Sequence, residues 1–245
     1  MIGHARGPAS QGSAPAPDGR HAASAAALNA RLEGRSLEDA LATAAEAFDD
    51  GRLAVLSAFG PGSLVLIHAL HELSVRLPVL FIDTLHHFPE TLQHVERVRD
   101  RYDLDLRVFR ACDSRAEFEN HHGPRLWERD LDRYHQISKV EPFRRAIADF
   151  DGWITGRRRE QSDSRADLPL ASGSPQIRVN PLAPWTRADV WRFILARGVP
   201  YNPLHDCGYT SIGDQPLTSP AADDEPERAG RWRGSDRSEC GIHLQ

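Results

Sequence analysis

Lysine is almost absent from this chain. Of its 30 basic residues one is a lysine, Lys139, and 29 are arginine. Methionine occurs once, and cysteine three times, as Cys112, Cys207 and Cys240. Three cysteines without paired spacing exclude a disulfide framework and fit a reducing compartment, so a cytoplasmic protein is expected. No apolar run approaches the ~20 residues of a membrane span. The N-terminus carries no apolar core of the signal type, being rich in Gly, Pro, Ala and Ser. A net charge of −5 excludes general nucleic-acid binding. What is present is a globular composition, 40% hydrophobic and 27% charged, in 245 residues. That length suits one large α/β domain or two small ones.

Residues 1 to about 25 lack periodicity and are expected to be disordered. Ser36 and Asp39 form a capping-box pattern, followed by Leu37, Leu41, Ala44, Ala45 and Phe48 at helical spacing. Short apolar strands are predicted at 53–56, 79–82, 106–109 and 153–155, with helices over 64–73, from Pro89 to about Tyr102, and over 186–197. In the last helix Trp191, Ile194 and Leu195 are expected on one side. Strands alternating with helices imply a Rossmann-like parallel sheet covered on both faces. Ligands of such sheets bind beyond the carboxyl ends of the strands. Those ends carry Ser57 to Ser63, Asp83-Thr84, and Gly156 with the arginines that follow. Residues 198–245 read as loop-like and mobile.

Four features could carry chemistry, and each has a plain alternative. The glycine-containing loop Ser57-Ala58-Phe59-Gly60-Pro61-Gly62-Ser63 is either an anion cradle at a helix N-terminus or an ordinary βα turn. It lacks the lysine of a Walker loop. The run Gly156 to Arg165 holds four arginines, which grip a polyanion or face water. Arg228 and Arg231 either clamp a substrate or belong to a flexible basic segment. Cys240, with Arg237 and His243 close in sequence, is either a nucleophile activated by positive charge or an inert tail thiol. No His or Cys pair has the spacing of a structural zinc site. Lys139 is an accident of composition or a position that needs a compact ammonium.

Taken together, the motifs resemble one family, the phosphoadenylylsulfate (PAPS) and adenylylsulfate (APS) reductases. The tail SECGIH is similar to its ECGLH motif, IDTLHHFPET to IDTGxxFPET, and GRRREQSDSRADLP to its R-R-x-Q-S-x-x-R-A motif. KVEP around Lys139, YNPLHDCGYTSIGD and RAGRW match as well, from about residue 50 to the end. The resemblance implies an adenine-nucleotide α-hydrolase-like fold. With the aperiodic start, this gives three expected parts: a disordered segment 1–25, a nucleotide-binding reductase domain 26–220 and a mobile catalytic tail 221–245. It implies that Cys240 attacks the sulfuryl sulfur and that reduced thioredoxin or glutaredoxin frees sulfite from the S-sulfocysteine. Lys139 and His243 would serve that chemistry. Ser57, Phe59, Gly60, Asp83, Thr84, Gly156, Arg158, Arg165, Arg228 and Arg231 would hold the nucleotide. A homodimer is also implied.

The chain departs from the family at informative places. Members that carry a [4Fe–4S] cluster hold it on two cysteine pairs, and here those four positions are Tyr134, His135, Asp214 and Leu217. Thiolates hold such clusters, so no iron–sulfur cofactor is expected. That is the pattern of PAPS reductases, although cluster-free members that use APS exist. Arg157 is a surplus cation and a candidate for the 3′-phosphate. Leu85 stands where the family often has glycine. An ATP pyrophosphatase is the more remote alternative, and the missing S-G-G-x-D-S and the tail cysteine weigh against it.

Overall fold

The computed structural model describes residues 19–173, 176–222, 225–232 and 242. Six strands form one sheet in the order β3-β2-β1-β4-β6-β5. They are β1 (Leu53–Leu56), β2 (Val79–Ile82), β3 (Leu106–Phe109), β4 (Gly152–Ile154), β5 (Ala171–Gly173) and β6 (Ile177–Val179). All neighbours are parallel except β5, which pairs antiparallel with β6 at one edge. Strand periodicity sorts the side chains between two layers. Leu53, Val55, Val79 and Phe81 enter the larger core, and Ala54, Leu80 and Ile82 the smaller one.

The larger core takes side chains from α1 (Gly19–Leu32), α2 (Leu37–Glu46), α3 (Pro61–Glu72) and α4 (Pro89–Tyr102), and from the helix over 187–197 near the other end of the chain. The Ser36 hydroxyl accepts the Asp39 N–H at 3.1 Å and so caps α2. Helix α3 is apolar around most of its circumference, and Leu64 to Leu70 are all buried. Between β3 and β4 the chain winds through α5 (Arg115–His122), α6 (Leu126–Arg129) and α7 (Leu131–His135). A single π-helical turn (Gln136–Val140) and α8 (Glu141–Ile147) follow. Helix α8 supplies Phe143, Ala146 and Ile147 to the smaller core. Thr186 caps α9 (Arg187–Arg197) through a reciprocal bond pair with Asp189.

Four expectations change. Helix α1 starts at Gly19, inside the segment assigned to disorder, and its Ala25, Leu28 and Leu32 are core residues. The hairpin of β5 and β6 has no counterpart among the expected strands, because three-residue strands leave too short a pattern to read. Helix α9 buries Val190 and Ile194, whereas Leu195 points outward at 66% exposure. The described part of the supposedly mobile tail is anchored. Ser219 N–H donates to the Gly230 carbonyl at 2.9 Å, Trp232 N–H to Leu217 at 3.0 Å, and the Trp232 ring is buried. The boundary at residue 220 therefore cuts through a paired segment. Among the described residues no helix is long and apolar enough to cross a membrane.

Chain order along the sheet reverses between β1 and β4, and there two loops touch backbone to backbone. A Cβ on Gly156 would lie 2.5 Å from the Gly62 carbonyl carbon and 2.6 Å from the Ser63 nitrogen. One on Gly62 would lie 2.5 Å from the Gly156 carbonyl oxygen. Neither neighbour is a flexible side chain, so Gly156→Ala must displace a main chain. We expect a loss of about 1–3 kcal/mol, the usual range for overpacking, read as a lower urea midpoint. An unchanged midpoint would show that the loops can part freely.

Candidate active site

A cleft of about 210 Å³ opens at this reversal, the place where doubly wound sheets bind ligands. Its walls come from the ends of β1 (Leu56, Ser57), β2 (Ile82, Thr84) and β4 (Thr155, Gly156), and from the first turn of α3 at Ser63. Helix first turns present backbone N–H groups without intrahelical partners, which suit an anion. Lys139, Arg157, Arg165, Arg228 and Arg231 also line the cleft, and Asp214 is the one carboxylate among its described lining residues. The field inside is thus strongly positive although the whole chain is acidic.

Local geometry explains how each loop is held. The Ser57 hydroxyl accepts the Phe59 N–H at 2.9 Å and closes a tight turn. Phe59 takes φ 54°, left-handed backbone uncommon outside glycine, and its ring packs edge-on against Phe81. Gly60 caps α3 and Pro61 begins it. After β2 the Asp83 carboxylate accepts the Leu85 N–H at 2.9 Å and the Arg110 Nε–H at 2.7 Å. Leu85 itself takes φ 67°. That conformation costs glycine nothing, which gives a physical reason for the glycine that the motif resemblance leads one to expect here. Here the leucine packs against the small cluster of Phe118, Leu126 and Tyr134.

The expected nucleotide residues divide into two groups. Ser57, Thr84, Lys139, Gly156, Arg165, Arg228 and Arg231 converge on the cleft. Phe59, Gly60, Asp83 and Arg158 do not line it. Phe59, Gly60 and Asp83 shape its loops, and Arg158 is turned away. The Arg158 guanidinium is buried and paired with Glu227 at 2.5–2.8 Å, so it ties the arginine loop to the chain before Trp232. Cys240 and His243 lie outside the described residues. Ile242, which stands between the two in the chain, lines the cleft and packs on the smaller core beside Leu56 and Phe109. Arg228 and Arg231 stack on the Trp232 ring at 5.2 and 4.6 Å, and Arg231 Nη1 also donates to the Ile212 carbonyl at 3.1 Å.

Sequence reasoning did not single out Thr155, Gln161, His87 or Asp214 as site residues. His87, Gln161 and Asp214 fall inside the motifs given above, so their signal was present. Thr155 reaches the cleft from the end of a strand, which no spacing rule announces, and His87 stacks on Phe81 with 5.2 Å between centroids. Asp214 is at the centre. Its Oδ1 accepts the Thr84 hydroxyl at 2.8 Å, and its Oδ2 lies 2.6 Å from Lys139 Nζ. Burial alone would raise its pKa, but Lys139, His87 and the Thr84 bond hold it well below the carboxylate range.

The side chains at the four positions where the resemblance would place cluster ligands, Tyr134, His135, Asp214 and Leu217, do not suit an iron–sulfur cluster. Tyr134 is a buried phenol whose ionisation is suppressed by burial and by the Asp214 charge. His135 is a buried imidazole, pushed down to about 3 by burial and by Lys139. Asp214 already serves Lys139 and Thr84, and Leu217 is an alkyl side chain packed on the Phe118 cluster. None is a thiolate. Among the described residues no group of three or more His, Cys, Asp and Glu side chains is placed to hold a metal.

A mostly parallel, doubly wound sheet with a cationic cleft at its reversal point defines an α/β protein whose cleft suits an anionic ligand. The phosphoadenosine phosphosulfate reductase domain matches residues 52–220. A phosphoadenosine 5′-phosphosulfate reductase of Gloeobacter violaceus is 43% identical over 212 residues, covering 84% of this chain and 88% of the relative. An adenosine 5′-phosphosulfate reductase of Chelativorans sp. is 41% identical over 199 residues, with 80% of each covered. The crystal structure of a PAPS reductase from Candida auris in a phosphate complex superposes with a TM-score of 0.73 at 36% identity, over 80% of this chain and 96% of that one. The chain belongs to the phosphoadenosine phosphosulfate reductase family, and it is a reductase of the PAPS/APS class.

Two buried histidines beside the site make its stability pH-dependent. His94, wholly buried on α4, is pushed down to about 4 by burial first and then by Arg97, and His135 behaves alike. Both are neutral when folded, while the unfolded chain takes up protons near pH 6.5. Below that pH the unfolded state binds more protons, so stability is present above it and is lost as pH falls towards the folded values. Urea unfolding at pH 7 and pH 5 should differ by on the order of 2 kcal/mol per histidine. His94→Gln should flatten the dependence; an identical pH dependence in that variant would assign the effect to other groups.

Proposed function

We propose that this chain reduces 3′-phosphoadenylyl sulfate to sulfite and adenosine 3′,5′-bisphosphate with a reduced thioredoxin-type dithiol, and that Cys240 is the nucleophile. The observation that carries this reading is Ile242, which lines the same cleft as Lys139 and the four arginines two residues along from Cys240. A chain advances at most ~3.6 Å per residue, so the thiol has a short tether to the cations. The Cys240 thiolate attacks sulfur, the bond from sulfur to the bridging oxygen breaks, and the nucleotide leaves as its phosphate. One thiolate of the dithiol then attacks the Cys240 sulfur and releases sulfite. The second thiol resolves the mixed disulfide, supplying the two electrons in total and returning the Cys240 thiol.

Lys139, Arg165, Arg228 and Arg231 neutralise a phosphosulfate that would otherwise repel a thiolate. Ser57, Ser63 and the first turn of α3 take phosphate oxygens, and Thr84 and Gly156 bound the nucleotide. His243 assists the thiol. No iron–sulfur cluster takes part, since a phenol, an imidazole, a committed carboxylate and an alkyl group replace its thiolates.

The choice of PAPS over APS is supported by charge. Five cations face one carboxylate in the cleft, and a 3′-phosphate adds about −1.5 to −2 of charge. The second reading is APS, which the Chelativorans relative's name favours.

Cys240→Ser should abolish sulfite formation and leave binding of adenosine 3′,5′-bisphosphate nearly intact; full turnover by that variant would end the proposal. Arg157→Ala should lower kcat/KM about tenfold for PAPS and by less than about threefold for APS. Equal losses for both nucleotides would remove Arg157 from the 3′-phosphate. A parent enzyme that prefers APS would move the assignment to the second reading.

A further inference from the structure

Ion pairs buried in proteins are weak sources of stability, because desolvating two charges roughly cancels their attraction. Lys139 and Asp214 form such a pair, at 8% and 1% side-chain exposure. Its presence in a cleft otherwise lined by cations needs a reason other than stability.

Asp214 is held from every side. One carboxylate oxygen accepts the Thr84 hydroxyl and the other faces Lys139. Its main chain bridges His87, and the next residue, Gln215, donates its N–H to the His86 carbonyl at 2.7 Å. His86 is itself fixed, with Nδ1 bonded to the Thr84 carbonyl at 2.8 Å and its ring among Phe118, Trp127 and Tyr134. The carboxylate is therefore engaged through both oxygens and anchored through its main chain. Lys139 does not share that rigidity by itself. It has four rotatable bonds and a point charge without a fork, and it projects from the one π-helical turn of the described residues. The arginines of the cleft have other fixtures, such as the Trp232 ring under Arg228 and Arg231.

We propose that Asp214 is a positioning residue for sulfonyl transfer: it holds the Lys139 ammonium at one point of the cleft wall, pre-organised for the charge that develops as the nucleotide leaves. Pre-oriented charge stabilises a transition state because nothing has to reorganise during the reaction. The proposal rests on the sulfonyl-transfer reading given above.

The test is a double-mutant cycle with Asp214→Asn and Lys139→Met, measuring single-turnover formation of the Cys240 adduct from PAPS. Asp214→Asn should slow transfer at least about tenfold at saturating nucleotide while KM changes less than about threefold. In the Lys139→Met background it should add less than about twofold, because the two residues act as one unit. A purely structural role would give the same loss in both backgrounds, and that result overturns the proposal, as does an Asp214→Asn rate within about threefold of the parent. Should Asp214→Asn not fold, Thr84→Val, which removes the Oδ1 partner, is carried through the same cycle under the same criteria. A second readout does not depend on activity. Lys139 is the one lysine in the chain, so isotope-labelled lysine reports it alone by NMR. Its side-chain signal should move in Asp214→Asn, and an unmoved signal overturns the pairing. If the parent forms no adduct from either sulfonucleotide, the functional reading fails, and an unmoved lysine signal would then be the separate failure of this one.

Discussion

The contact of Gly62 with Gly156 sets the distance between the two halves of the sheet where they meet. Any side chain at either position would collide with main chain. Because both loops come this close, the β1 turn, the first turn of α3 and the arginine loop after β4 share one cleft instead of lining two edges. The strained Phe59 belongs to the same arrangement. Its ring fills the core against Phe81, and its left-handed backbone turns the chain into α3.

Charge in the cleft is organised as much as it is abundant. Arg158 is spent on Glu227 and holds two loops together. Arg228 and Arg231 lie on Trp232, itself buried at a left-handed backbone position beside His135. Lys139 is fixed by Asp214. A polyanionic ligand gains from such order because the cations need not be gathered at the moment of binding, and the entropic cost of immobilising long side chains has already been met in the fold.

The region of Tyr134, His135, Asp214 and Leu217 connects this order to the cofactor question. Aromatic packing around His86 and Tyr134 fills the space with groups that cannot act as thiolates. The same packing buries Asp214 and keeps water from screening its pair with Lys139. One set of residues thus fills this wall with groups other than thiolates and strengthens the electrostatics of the cleft.

Strands β1 to β4, the capping of α2 and the loops that follow the strands were legible in the sequence, because hydrophobic period, caps and glycines are local signals. The family motifs and the identity of Lys139 as a lone lysine were legible too. Helix α1 was missed because its Gly- and Ala-rich beginning resembles a disordered segment, although Ala25, Leu28 and Leu32 are core residues. What only the tertiary structure decided is direction and partnership. Arg157 and Arg158 are adjacent in sequence and identical in chemistry, yet one lines the cleft and the other is buried against Glu227. Asp214 read as a lost ligand until Lys139 and Thr84 were found on its two oxygens. The physical reason is common to both. Residue type and local pattern follow from near neighbours in the chain, whereas the partner of a charge is chosen by long-range packing, here across 69 residues for Arg158 and Glu227.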